Sequence, residues 1–245
     1  MTEGPLSGRT AVVTGASSGI GRETCRVLAR EGANVVLAAR REERLREVAD
    51  ELESAHGVGT LVVPTDVRDE AAVADLVDAA AAEFDSIDVV VLNAGLARGS
   101  DVEEMTTEEY RAMQDTNVDG VFFLTREALS HLKESGGHLI FVGSYAGEYP
   151  RPYNPVYAAT KWWMRGFAKS VSGQVGEDDV GITVVNPAAV RTEFDLDGTT
   201  QAERFDPGEV VEPAEVAEAI GFAAEQSPSM VHEISVYERD KLTGL

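Results

Sequence analysis

The sequence predicts an α/β protein, a single doubly wound parallel sheet of about seven strands with helices on both faces, and three observations carry that expectation. Short β-branched runs alternate with longer amphipathic stretches along the chain. Several runs, such as Val89-Val90-Val91-Leu92, are apolar without alternation, as strands covered on both faces must be. No internal repeat, low-complexity tract or Gly/Pro-rich linker divides the chain, so one domain is expected over residues 1–245.

In chain order, the β-branched run Thr10–Thr14 stops at a glycine turn and a helical pattern follows over 19–31. The strand Asn34–Ala39 leads into a charged helical pattern at 42–55, and Thr60–Thr65 into one at 69–84. Asp88–Leu92 precedes the longest helical pattern, 107–134, and His138–Gly143 precedes 155–174. The strand Gly181–Asn186 is followed by the only long irregular stretch, Arg191–Glu212, rich in Asp, Glu, Gly and Thr. A loop of that length in a compact domain is usually functional or mobile, and it is expected to close over a substrate. A helical pattern at 213–226 and a last strand near Glu233–Val236 complete the order.

The first turn reads Thr14-Gly15-Ala16-Ser17-Ser18-Gly19-Ile20-Gly21. Between a strand and a helix, Gly15 permits the tight turn, Gly19 lets backbone approach a pyrophosphate, and Gly21 allows close helix packing. The helix N-terminus favours negative charge, so the turn is expected to bind a dinucleotide. In such a fold the end of the second strand selects the cofactor: an acid there holds the 2′-hydroxyl of NAD, an arginine accommodates the 2′-phosphate of NADP. Here that strand ends in Ala39-Arg40-Arg41 with no carboxylate, and Glu42 and Glu43 fall one step too late, inside the helix start. Positive charge is unfavourable at a helix N-terminus, so a phosphate explains the two arginines better than a solvated helix start does. The expected cofactor is NADP(H), with NAD(H) the alternative.

Composition narrows the class further. The chain carries 43 acidic against 21 basic residues, a net charge of −22, and its sequence pI is about 4.5. Nucleic acid is not an expected partner, because phosphate backbones need a basic face. The only lysines are Lys133, Lys161, Lys169 and Lys241, and abundant carboxylates with scarce lysine resemble the proteins of salt-accumulating halophiles. A merely acidic mesophilic enzyme is the other reading. Cys25 is the single cysteine, so no intrachain disulfide can form. His56, His131, His138 and His232 show no ligand spacing, and no catalytic metal is expected. The first residues, Met1 to Arg9, lack a signal-peptide pattern, and no stretch is apolar for long enough to suggest a membrane span, so a cytoplasmic protein is expected.

The spacing Gly-x-x-x-Gly-x-Gly is where the sequence begins to resemble the classical short-chain dehydrogenase/reductase (SDR) family. The resemblance extends over nearly the whole chain. Asp66-Val67 is similar to the segment that borders the adenine in that family, and Leu92-Asn93-Ala94-Gly95 resembles its Asn-Asn-Ala-Gly turn with Leu92 in place of the first asparagine. Asn117 matches the helix asparagine, Ser144 the catalytic serine, and Tyr157-Ala158-Ala159-Thr160-Lys161 the Tyr-x-x-x-Lys signature, 13 residues beyond Ser144. Pro187-Ala188-Ala189-Val190-Arg191-Thr192 resembles the Pro-Gly-x-x-x-Thr segment near the nicotinamide, with Ala188 where glycine is usual. The resemblance implies a Rossmann-like fold and a catalytic set of Asn117, Ser144, Tyr157 and Lys161. It also implies cofactor contacts from Gly15, Ser17, Ser18, Gly19, Ile20, Gly21, Arg40, Arg41, Asp66, Val67, Asn93, Ala94, Gly95, Tyr157, Lys161, Pro187, Val190 and Thr192. A homo-oligomer, a tetramer in this reading, is expected as well, with Trp162 and Trp163 at a core or subunit contact.

Tyr157 and Lys161 are four apart on an expected helix and so share one face. A free tyrosine has a pKa of about 10, too high for a base near neutrality, and a nearby ammonium favours the phenolate. Tyr157 is then expected to move a proton as general acid or base while hydride passes to or from the cofactor. By resemblance, Lys161 also holds the nicotinamide ribose, Ser144 hydrogen-bonds the substrate oxygen, and Asn117 supports a water-linked proton route. Tyr145, Tyr149 and Tyr153 lack a lysine at that spacing and are expected in pocket walls or core, while Arg151 is either a contact for a substrate carboxylate or an exposed loop arginine. The expected activity is interconversion of a secondary alcohol and a carbonyl on a small molecule. A catalytically weak, redox-sensing cofactor-binding protein is the alternative of another class, and the presence of both Tyr157 and Lys161 argues against it.

Overall fold

The computed structural model describes residues 4–99, 101–195 and 198–243. Ser100, Leu196, Asp197 and the terminal residues 1–3 and 244–245 lie outside them, and with them parts of the expected 1–245 domain and of the 191–212 loop.

β1 (Thr10–Thr14), β2 (Asn34–Ala39), β3 (Thr60–Pro64), β4 (Val89–Leu92), β5 (His138–Val142), β6 (Gly181–Pro187) and β7 (Glu233–Val236) form one sheet in the order β3-β2-β1-β4-β5-β6-β7. Every pairing is parallel; on β1, Val12 lies beside Val36 of β2 and Val90 of β4. The chain winds outward from β1 to β3, returns to β4 beside β1, and winds the other way to β7. The crevice at the carboxyl ends of β1 and β4 is the topological switch point, where α/β sheets take ligands.

Alternation along each buried strand divides the core into two layers. Val13, Val35 and Leu37 pack with Leu28 of α1 (Gly19–Arg30), Leu45 of α2 (Glu42–His56) and Ile220 of α8 (Pro213–Ala224). Val12, Val36 and Val90 pack with Leu76 of α3 (Glu70–Glu83), Leu124 of α5 (Gly120–Ser135) and Met164 of α6 (Pro155–Val175). Each such fully buried leucine stabilises the fold by about 2 kcal/mol relative to exposure. Helix starts are chemically marked: Asp69 accepts from the Ala71 and Ala72 amides, and Thr106 forms a reciprocal capping box with Glu109 at α4 (Thr107–Gln114).

The structure corrects the expected elements in three places. The 107–134 helix is α4, a π-helical turn at Asp115–Asp119, and α5. The 191–212 stretch is not wholly irregular, because it contains the short helix α7 (Gln201–Arg204), capped by Thr200. Strand ends shift by a residue: β3 stops at Pro64, β4 starts at Val89, β5 stops at Val142 and β6 runs on to Pro187. Among the described residues no helix is long and apolar enough to cross a membrane.

Candidate active site

A cleft of about 570 Å³ lies over the carboxyl ends of the strands. The segment after β1 lines it with Gly15, Ser17, Ser18, Gly19 and Ile20, the segment after β2 with Arg40 and Arg41, and that after β3 with Asp66 and Val67. Asn93, Ala94 and Gly95 enter after β4, Ser144 after β5, Tyr157 and Lys161 from α6, Pro187 at the end of β6, and Val190 and Thr192 after it. Two expected site residues, Gly21 and Asn117, do not line the cleft and instead shape it from behind.

The glycine turn is built for contact. A Cβ on Gly21 would meet the Gly15 carbonyl oxygen at 2.3 Å, so only glycine lets α1 start this close to the turn. Gly19 takes φ +53 against Thr192, joining the first turn to the loop after β6. At the start of α1, Ser18 makes no side-chain cap and the first turn holds no acidic residue. The amide donors there are open to an anion. Behind the turn, Thr14 Oγ1 accepts from the Asn93 and Ala94 amides at 3.1 and 3.2 Å, and Asn93 Nδ2 donates to the Thr14 carbonyl at 2.8 Å. These bonds tie the β1 and β4 turns into one floor.

At the end of β2, Arg41 donates from Nε to Ser17 Oγ (3.1 Å) and from Nη2 to Ser18 Oγ (2.7 Å). Its Nη1 reaches Glu193 Oε2 at 2.9 Å, and Arg44 grips the same carboxylate at 2.7 Å. These cations hold the Glu193 carboxyl below the usual range. Arg40 lines the cleft and makes no ion pair among the described residues. Beyond it, Arg68 binds Asp66 Oδ1 from Nε at 2.9 Å and lowers the Asp66 pKa. Open helix amides, an unpaired Arg40 beside Ala39, and Arg41 linked to two hydroxyls form a donor set that fits a phosphorylated dinucleotide.

At the other end of the cleft, Asn154 sets the start of α6. It is fully buried in the left-handed region at φ 54, accepts from the Tyr157 amide at 3.1 Å, and donates from Nδ2 to the Arg98 and Gly99 carbonyls at 3.2 and 2.9 Å. Tyr157 and Lys161 are thereby presented on one face, both buried. Asn117, on the π-helical turn, accepts from the Leu96 amide at 2.9 Å and donates to the Leu96 carbonyl at 2.8 Å and to Thr160 Oγ1 at 3.1 Å. Ser144 Oγ accepts from the Ala146 amide at 3.1 Å, and Asn186 Oδ1 accepts from the Ser144 amide at 3.3 Å.

The expectation that Lys161 lowers the Tyr157 pKa does not hold in this arrangement. Burial raises Tyr157, with Ser144 and the charge of Arg151 opposing only in part. Lys161 Nζ lies 5.9 Å from the tyrosine ring centroid and donates to the Val142 carbonyl at 2.8 Å, while burial pulls its own pKa down to about 8. An ammonium so buried, with no carboxylate partner among the described residues, is a cost to the fold. Below pH 8 folded and unfolded chains both hold the proton and the penalty is fully present. As pH rises from about 8 towards 10.5 the folded chain sheds it first and the penalty fades. Lys161→Met is therefore expected to raise the melting temperature by several degrees at pH 7, for a gain of about 1–3 kcal/mol, and by less at pH 10. Calorimetry at the two pH values checks it.

Residues 9–202 match the short chain dehydrogenase family. The chain belongs to that family. A curated relative, an uncharacterized oxidoreductase of Staphylococcus epidermidis, is 33% identical over 230 residues, covering 93% of this chain and 96% of the relative. Among solved structures, an alcohol dehydrogenase from the archaeon Thermococcus sibiricus, complexed with 5-hydroxy-NADP, is similar at a TM-score of 0.84 and 31% identity, covering 94% of this chain and 96% of that one. The closed form of a serine dehydrogenase complexed with NADP+ reaches a TM-score of 0.88 at 30% identity, covering 96% and 98% of the two chains.

Ala188 stands where the resemblance led to the expectation of glycine, and among the described residues only Asn154 and Asp179 combine a side chain with positive φ, so the alanine sits there without backbone strain. Tyr145 lines the cleft and stacks on Tyr149 at 4.7 Å, whereas Tyr153 is exposed. Trp162 and Trp163 are exposed rather than in the core. Several cleft residues escaped the sequence reading: Arg68, Arg98, Phe194 and Gln201. Phe194 lies 6.0 Å from the Tyr157 ring, centroid to centroid. Nothing in its local sequence signals this, because the contact depends on how the loop after β6 folds back.

Proposed function

We propose that the chain is an NADP(H)-dependent oxidoreductase that interconverts a secondary alcohol and a carbonyl, with Tyr157 as general acid and base. The observation that carries this reading is the pairing, in one cleft, of an open arginine end at β2 with a buried tyrosine–lysine face on α6. The NADP-type ligands of the two solved relatives support it. When bound, the cofactor supplies or accepts hydride at its nicotinamide.

The protein's own groups do the rest. The α1 amides and Gly19 receive the pyrophosphate, Arg40 and Arg41 the 2′-phosphate, and Asp66 and Val67 border the adenine. Gly21 keeps α1 close, while Asn93, Ala94, Gly95, Pro187, Val190 and Thr192 wall the remaining length. Ser144 orients the substrate oxygen. Tyr157 hands its phenolic proton to that oxygen during carbonyl reduction, and burial keeps the proton in place until it is needed. Lys161 lies against Gly95, where a Cβ would come within 3.7 Å of its Nζ, and so can reach the nicotinamide ribose. Asn117 backs this face, its amide shared between Leu96 and Thr160. A panel of small ketones, oxo acids and sugars with NADPH and with NADH tests the reading by absorbance loss; turnover with NADH and none with NADPH would move the assignment to NAD.

Two properties of the surface extend the proposal. Phe122 on α5 and Trp163 on α6 are exposed and meet through Phe167, at 6.4 and 4.9 Å between ring centroids, and Trp162 is exposed as well, which supports a homo-oligomer, in our reading a tetramer. Light scattering is expected to give a multiple of the chain mass, and a stable monomer at micromolar concentration contradicts it. The net charge of −22 supports a cytoplasm rich in salt. Screening lengths fall to about 3 Å at 1 M, so the melting temperature is expected to rise between low and molar KCl, and a flat or falling trend removes the halophilic reading.

A further inference from the structure

Carboxylates outnumber cations two to one in this chain, 43 to 21, and they take up many of the arginines, the exposed Arg30 and Arg126 and the half-buried Arg26 and Arg165 among them. Three cleft arginines are not: Arg40 at the β2 end, described above, and two more. Among the described residues Arg98 and Arg151 make no ion pair, although both line the cleft at its tyrosine end. Arg151 is half-buried, its guanidinium carbon 5.3 Å from the Tyr153 ring centroid and 5.8 Å from that of Tyr157. Two rings therefore hold the guanidinium beside the phenol. Arg98 stands at the rim, its segment fixed by the Asn154 amide and one of its donors used on the Ala97 carbonyl at 2.9 Å.

A third donor lies on the loop after β6. Gln201 is buried at 6% exposure, lines the cleft, and among the described residues its Nε2 has no hydrogen-bond partner. Its backbone amide donates to the Phe194 carbonyl at 3.0 Å, and the Phe194 ring lies against Tyr157, so Gln201 belongs to the same end of the cleft. A buried amide donor without an acceptor costs stability until a ligand supplies one. The acids that share the cleft are engaged elsewhere: Asp66 with Arg68, Glu193 with Arg41 and Arg44, and Asp195, whose Oδ1 accepts from the Gly198 amide at 2.6 Å. Around Tyr157 the cleft thus offers apolar walls from Phe194 and Leu96 together with cationic and neutral donors that lack acceptors.

We propose that the substrate is a short hydroxy acid or oxo acid, its carboxylate received by Arg151 and Gln201 Nε2 with Arg98 at the rim. This names the substrate class of the site and rests on the alcohol–carbonyl reading given above. A charge-assisted pair of this kind is worth roughly ten- to a hundredfold in affinity.

The test uses the 245-residue chain with NADPH, a short 3-oxo acid and its methyl ester, in wild type, Arg151→Met, Arg151→Lys and Gln201→Leu. In wild type kcat/KM for the acid is expected to exceed that for the ester by roughly tenfold or more. Arg151→Met and Gln201→Leu lower that ratio, chiefly through KM, and Arg151→Lys restores part of it. A second arm needs no turnover: calorimetry of the NADP+-loaded protein with butyrate and with butyramide. Butyrate is expected to bind, in an Arg151-dependent way, and butyramide is not. Ester reduced as well as acid, or butyrate binding no better than butyramide, overturns the anion site while leaving the reaction standing. Arg151-dependent butyrate binding with no reduction of acid or ester supports the anion site and overturns the reaction instead.

Discussion

Tyr157→Phe is expected to lower kcat/KM for carbonyl reduction on the order of 10²–10⁴-fold while leaving NADPH affinity within a few-fold of wild type. The ring remains in its apolar surroundings of Ala97, Met113, Ala146 and Phe194, so the pocket keeps its shape. What disappears is the phenolic proton of Tyr157, the buried tyrosine on the Lys161 face of α6. The hydroxyl is buried, and the lost polar interactions involve Ser144, which keeps its bond from the Ala146 amide, so stability should change by no more than about 1 kcal/mol. Steady-state kinetics together with a fluorescence titration of NADPH separates the two effects. A variant retaining more than a tenth of wild-type turnover would remove Tyr157 as the proton donor.

The second large effect is a reversal of cofactor preference in Ala39→Asp/Arg40→Gln. Wild type is expected to bind NADPH at least roughly tenfold more tightly than NADH, because a charge-assisted bond from Arg40 to the 2′-phosphate is worth about 1.5–3 kcal/mol. An aspartate at the end of β2 would repel that phosphate and accept from the 2′-hydroxyl of NAD, while Arg40→Gln removes the free cation. Arg41 is less decisive, since Glu193 already neutralises it. The same ion pair sets a converse expectation: Glu193→Gln frees Arg41 and Arg44 and should strengthen NADPH relative to NADH. High salt narrows all of these differences by screening, so the titrations belong at matched ionic strength. A double variant that still prefers NADPH would place the phosphate away from β2.

Much of the fold was legible because its signals are local. The β-branched run Thr10–Thr14 ends at Gly15, and β1, β2 and β7 occupy the expected residues. The break in the 107–134 helix was not legible. No proline or glycine pair marks Asp115–Asp119, and the extra residue in the turn accompanies the hold of Asn117 on both backbone groups of Leu96, 21 positions away. For the site, the motifs named many of the residues that line the cleft, since most of these end a strand or start a helix, whereas Gly21 and Asn117 lie behind it. They did not reveal the acid–base balance of Tyr157 and Lys161, which burial decides rather than spacing. Nor did they reveal Glu193, Phe194 and Gln201, whose positions follow from the path of the loop after β6 back over the cleft.

The account stands most directly on one measurement, the transfer of deuterium from NADPH labelled at the hydride-donating carbon of the nicotinamide to a reducible carbonyl, read by mass spectrometry of the product. The account predicts an alcohol carrying one deuterium on its carbinol carbon, formed by the wild type and scarcely by Tyr157→Phe. Reduction without deuterium in the product, or label transfer that is as fast in Tyr157→Phe as in the wild type, would contradict it.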